Sequence, residues 1–134
     1  MISDSHIGTT FDSEGFKTQL ERINKTNPDV LLIIGDFIDD STSLESMINS
    51  CKYLKEVNTK YGIYYVFGNH DRGYKLDNKK YNEKDLISNL KSNGIKILKD
   101  EYTLIEDKIY IVGREDDSRP RNSIDELTSS VQKD

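Results

Sequence analysis

The stretch Val30-Leu31-Leu32-Ile33-Ile34-Gly35-Asp36 decides the fold class. Its five aliphatic residues form an unbroken, β-branched-rich run, which reads as a strand buried on both faces of a parallel sheet. Gly35 ends the run and Asp36 follows at once, so a carboxylate is delivered to the carboxyl end of the strand. In open α/β sheets, ligands bind just outside that end.

Upstream, Phe16, Leu20 and Ile23 fall at i, i+4 and i+7, which predicts a helix over 13–26 broken by Asn27-Pro28-Asp29. Downstream, the capping-box pattern Thr42-Ser43-Leu44-Glu45 opens a second helix, with Leu44, Ile48 and Cys51 along one stripe. Tyr61-Gly62 leads into a strand over 63–67. A third helix near 83–93 ends at Gly94, and a short strand follows over 95–98. Residues 102–105 and 109–112, separated by Glu106-Asp107-Lys108, read as an antiparallel hairpin that adds a mixed edge to the sheet. A last capping box, Ser123-Ile124-Asp125-Glu126, starts a helix running to the end of the chain. The alternation predicts an α/β fold: a mixed, largely parallel sheet flanked by helices, in a single domain over 1–134.

Composition narrows the function classes. At 134 residues the chain is one domain's worth, and 34% hydrophobic content in distinct runs argues against wholesale disorder. The net charge of -5, with no long Lys/Arg block, gives no clear nucleic-acid patch and little attraction to an anionic membrane. The longest aliphatic run is far short of the roughly 20 apolar residues that span a bilayer, so no transmembrane segment is expected. Met1-Ile2-Ser3-Asp4 lacks the basic and apolar regions of a secretory signal. Cys51 is the only cysteine and reads as a small core residue, which suits a reducing compartment. A cytoplasmic location is expected, with peripheral membrane association as its alternative.

Three polar clusters fall at three strand ends. Asp4-Ser5-His6 follows Ile2. Asp4 and His6 are two residues apart, so on an extended backbone they share a side and grip one cation. Gly35-Asp36-Phe37-Ile38-Asp39-Asp40 follows the central strand, and Gly68-Asn69-His70-Asp71 follows the third. Any one of them alone is an ordinary turn or helix cap. Together they contain both histidines of the chain, each beside acids, and capping has no use for histidine. Carboxylate, amide and imidazole donors suit Mn, Fe, Zn or Ni.

In order, spacing and strand context, these clusters resemble the D-x-H, GDxxD and GNHD motifs of the calcineurin-like metallophosphoesterases. The resemblance extends to about Gly113, and is nearest to small bacterial phosphohydrolases of a type found at the membrane. It implies a phosphoester hydrolase using a hydroxide activated by two divalent metal ions. Asp4, His6 and Asp36 would hold the first metal, Asp36 would bridge to the second, and Asn69 would bind that second metal. His70, polarised by Asp71, would act on the substrate, while Asp39 would order the loop. Asp40 stands where the family's protein phosphatases carry an arginine, which points to a phosphodiester or small phosphomonoester substrate.

The family pattern continues with a further histidine and a G-H-x-H element, and no histidine follows His70 here. The expectation is therefore a domain truncated at its C-terminus and slightly at its N-terminus, whose unpaired sheet edge favours self-association. The alternative is a non-catalytic interaction module on the same fold. Arg72, Arg114, Arg119 and Arg121 read as solvated loop charges, with a phosphate clamp as their functional alternative. Tyr64 and Tyr65 read as packing residues. The polar, aperiodic segment 72–84 reads as a surface loop, with its part from Tyr74 to Tyr81 as a candidate cover for the site.

Overall fold

The structure is a computed structural model and describes residues 1–72, 81–129 and 131. Four short strands, β1 (Ile2–Ser3), β2 (Leu31–Ile34), β3 (Ile63–Val66) and β4 (Lys96–Ile97), alternate with three helices, α1 (Ser13–Asn24), α2 (Leu44–Lys55) and α3 (Glu83–Ser92). Parallel neighbours need a crossover, and each helix supplies one, so the four strands lie side by side in chain order, all parallel. In register, Ile2 pairs with Ile33, Leu31 with Ile63 and Tyr64 with Lys96.

Strand side chains alternate between faces. On one face Leu31, Ile33, Ile63 and Tyr65 meet Phe16 and Leu20 of α1, Met47, Cys51 and Leu54 of α2, and Leu86 and Leu90 of α3, all buried in one core. Each such side chain contributes roughly 1.5–3 kcal/mol through its burial. Cys51 is a core residue as expected, with burial pushing its thiol pKa to about 12. Phe37 and Tyr65 continue this core toward the strand ends, with their rings edge to face at 5.9 Å.

The second face departs from expectation. The hairpin, β5 (Glu101–Ile105) and β6 (Ile109–Gly113), is a separate two-stranded antiparallel sheet and does not extend the edge of the parallel one. Ile105 and Ile111 pack over Leu32, Tyr64, Val66 and Leu98, so the hairpin lies across this face. Gly113 permits the crossing, because a Cβ there would collide with the Leu98 side chain and stand 3.0 Å from Val66 Cγ1. The cover is partial. Leu32 is half-buried and Ile34 is 42% exposed, so β2 is fully covered on one face only.

The helix starts follow local chemistry with one shift. Asp12 caps α1, and Asn82 with Asp85 forms a capping box on α3. Ser123 and Glu126 form the expected box on α4 (Ile124–Thr128), which ends at a Ser129 cap instead of running on as expected. At α2 the cap is Ser43, accepting from Ser46 N, and not Thr42. The Thr42 hydroxyl accepts from Asp39 N and donates to the Ile7 carbonyl, which ties two loops together.

Within the expected surface loop, Arg72 and Tyr81 are buried, Asn82 is exposed, and Glu83 and Lys84 already belong to α3. Arg72 is 7% exposed, and Tyr81 is buried with its hydroxyl donating to the Thr42 carbonyl. Residues 73–80, on which the expectation of a loop over the site rests, lie outside the described residues. Among the described residues, no helix is long and apolar enough to cross a membrane.

Candidate metal centre

The carboxyl ends of β1, β2 and β3 release three loops side by side. Beyond β1 the backbone still runs along the β2 loop, with Asp4 N donating to Gly35 O (3.2 Å), His6 N to Asp36 O (2.9 Å) and Ile7 N to Phe37 O (3.1 Å). Within this lattice Asp4, His6 and Asp36 all adopt left-handed backbone conformations, with φ of +53°, +42° and +49°. Non-glycine residues pay for that geometry, at about 1–3 kcal/mol each. The extended Asp4-Ser5-His6 segment read from the sequence is therefore replaced by a coiled one.

The coil brings the three candidate ligands together. One ligand atom each from Asp4, His6 and Asp36 lie within 4.8 Å of one another. Two carboxylates and an imidazole converging from two loops form a donor set that fits a divalent Mn, Fe, Zn or Ni ion. His6 is well set for such a role. Its Nδ1 faces Asp39 Oδ2 at 3.4 Å, while Nε2 faces Asp36 Oδ2 at 3.8 Å. A carboxylate on one ring nitrogen fixes the tautomer and leaves the other lone pair for a metal.

Asp39 is itself held firmly. It is 5% exposed, and its Oδ1 accepts from Ser41 N (2.8 Å) and Ser41 Oγ (2.6 Å). Burial pushes its carboxyl pKa up, but the hydrogen bonds from Ser41 and Thr9 and the His6 ring outweigh burial and hold it below the usual value. Asp39 thus orders the loop as the resemblance implied, and in addition it orients His6.

The third loop closes on the second. Gly68 packs so tightly on Asp36 that a Cβ would stand 2.5 Å from Asp36 N and 2.8 Å from Asp36 Cγ. His70 N donates to Asp36 Oδ1 at 3.0 Å, and the His70 ring meets the His6 ring edge to face at 4.9 Å. Asn69 is half-buried and lies between Gly68 and His70 in sequence.

Asp71 requires a correction. Read from the sequence as the group polarising His70, it is 2% exposed and turned toward backbone amides. Oδ1 accepts from Phe37 N (2.8 Å) and Ile38 N (3.0 Å), and Oδ2 accepts from Gly68 N (2.9 Å). Burial raises its pKa to about 6 even against those amides. Its role is to lock the second and third loops to each other, placing Asp36 and His70 at fixed positions.

Arg72 also differs from the sequence reading. It is a buried ion-pair partner of Glu83 and Glu115, and Glu115 carried no sequence signal at all. Arg114 donates to the Asn122 carbonyl, Arg121 faces Asp117 four residues back, and Arg119 pairs with the distant Glu83.

Comparison with known proteins agrees with this geometry. A model of the calcineurin-like phosphoesterase family matches residues 1–130. The uncharacterized metallophosphoesterase YkoQ of Bacillus subtilis (strain 168) is 30% identical over 127 residues, covering 92% of this chain and 44% of that protein. The uncharacterized metallophosphoesterase YkuE of the same organism is 32% identical over 72 residues, 54% of this chain and 25% of YkuE. The Danio rerio protein named transmembrane protein with metallophosphoesterase domain is 31% identical over 71 residues, 53% of this chain and 16% of that protein. The chain thus spans less than half the length of each of these relatives. With the family match reaching from residue 1 to residue 130, the chain belongs to the calcineurin-like phosphoesterase family.

Proposed function

We propose that this protein is a metal-dependent phosphoester hydrolase acting on a phosphodiester or small phosphomonoester through a dinuclear centre. The observation that carries the reading is the convergence of Asp4, His6 and Asp36 within 4.8 Å at the ends of β1 and β2. Family membership supports the reaction class.

Asp4, His6 and Asp36 would hold one divalent cation, and Asp36 with Asn69 would contribute to a second. Such cations, when bound, polarise phosphoryl oxygens and make a nucleophile available at neutral pH. Asp39 keeps the His6 tautomer that leaves Nε2 facing the centre. His70 stands against His6 and beside the Asp36 carboxylate, where its imidazole would stabilise charge on the phosphoryl group or hand a proton to the leaving oxygen.

The test is hydrolysis of bis(p-nitrophenyl) phosphate with added Mn²⁺. Asp36→Asn should abolish turnover, and His70→Asn should lower kcat by about 10²–10⁴ while bound manganese stays at the wild-type level. Undiminished activity in Asp36→Asn would overturn the assignment. Manganese binding with no hydrolysis by the wild type would favour the non-catalytic module on the same fold.

A further inference from the structure

Away from the Asp4, His6 and Asp36 cluster, the deepest charged groups meet where the 3₁₀ turn His70–Arg72 ends. The Arg72 side chain is 4% exposed. Its Nη1 pairs with Glu83 Oε1 at the start of α3, and its Nη2 pairs with Glu115 Oε1 just beyond β6. Each nitrogen of the fork thus takes a different carboxylate, a geometry that guanidinium supports and a single ammonium does not. The guanidinium also lies over the Phe67 ring at 4.3 Å. Phe67 immediately precedes Gly68, so Arg72 also packs against the segment that leads into the turn.

The carboxylates are themselves anchored. Glu115 N donates to Asp100 Oδ1 (2.9 Å) and Glu115 Oε2 faces Lys99 Nζ at 3.4 Å, while Glu83 Oε2 faces Arg119 Nη2 at 3.3 Å. Desolvating three charges costs much of what their attraction returns, so this arrangement is a poor way to gain stability. What it does supply is a fixed position for the turn. Asp71 pins that turn to the Phe37 and Ile38 amides and Arg72 pins it to Glu83 and Glu115, both directly after His70.

We propose that Arg72, clamped by Glu83 and Glu115, is a positioning residue that holds His70 against the centre for phosphoester hydrolysis. The inference rests on the phosphoesterase reading for its catalytic consequence and on the turn geometry alone for its structural one. The ion-pair partners of Arg72 are Glu83 and Glu115, not Asp4, His6 or Asp36, so its loss should move His70 and leave those three ligands in place.

The experiment compares Arg72→Lys and Glu115→Gln with the wild-type protein; the second variant keeps side-chain shape should the first fail to fold. With bis(p-nitrophenyl) phosphate and saturating Mn²⁺, kcat should fall about tenfold or more, as expected for a displaced catalytic group, with KM within about twofold and manganese content unchanged. In metal-free protein, the NOE between the His6 and His70 rings should weaken in both variants. The proposal is overturned if kcat stays at the wild-type value in the folded variants, or falls only in proportion to lost manganese. If the wild type hydrolyses nothing, the phosphoesterase reading falls separately and the NOE alone decides: weakening in both variants supports the clamp, and persistence overturns it.

Discussion

His6 presents its Nδ1 to Asp39 Oδ2 at 3.4 Å, so the ring that faces the centre is steered by a carboxylate 33 residues further along the chain, as Asp39 minus His6 gives. Asp39→Asn keeps the shape and removes the charge that fixes the His6 tautomer. Manganese affinity should drop about 10–100-fold, the usual cost of losing such a partner. Titration of bound Mn²⁺ by electron paramagnetic resonance checks this, and an unchanged affinity would remove Asp39 from the account.

Gly68→Ala forces a methyl against the backbone nitrogen and carboxylate carbon of Asp36. Neither can yield without moving the loop, so the variant should lose manganese binding even where it folds. Ala at Gly62, where a Cβ meets nothing within 4 Å, serves as the control for added bulk, although its φ of +95° carries its own backbone strain. Both variants are read by the same metal titration together with circular dichroism.

Asp71→Asn should cost stability independently of metal. Three backbone amides converge on that carboxylate, and an amide side chain turns an N–H toward at least one of them. Leaving a buried donor unpaired costs about 1–3 kcal/mol, so a loss of about 3 kcal/mol is expected in urea unfolding of metal-free protein, at unchanged m.

The places where the sequence was legible share one feature: their chemistry is local. A glycine turn after an aliphatic run delivers Asp36, and a serine three residues before Glu126 caps a helix, whatever the rest of the chain does. The misreadings all involve partners distant in sequence. Thr42 looked like a cap, but its hydroxyl is taken by Ile7, 35 residues back. Asp71 looked like a partner for its neighbour His70, but amides 33 and 34 residues away take it. Arg72 looked solvated because Glu115, 43 residues on, cannot be matched to it by any periodicity. The hairpin was read correctly as a hairpin, yet its seat across the sheet face depends on Gly113 meeting Leu98.

Asp100 links acid stability to the segment behind the clamp. Its carboxylate accepts from Glu115 N (2.9 Å) and Asn122 N (3.0 Å). Slight burial raises its pKa, but those amides and the nearby Arg114 and Arg121 hold it below the usual value. A depressed folded-state pKa means the stabilisation is complete above the unfolded value near ~3.9 and is lost as pH falls through the folded one. Wild type should therefore lose more unfolding free energy than Asp100→Asn on acidification below about pH 4. Parallel losses in urea melts of the two proteins would contradict this.

The central claim is that Asp4, His6 and Asp36 together form a divalent-cation site, and direct Mn²⁺ binding to the purified chain tests it most plainly. The account predicts saturable binding by the wild type, near-complete loss in Asp4→Asn and Asp36→Asn, and retention in His70→Asn. Equal binding by the wild type and Asp36→Asn, or no saturable binding by folded wild type, would contradict it.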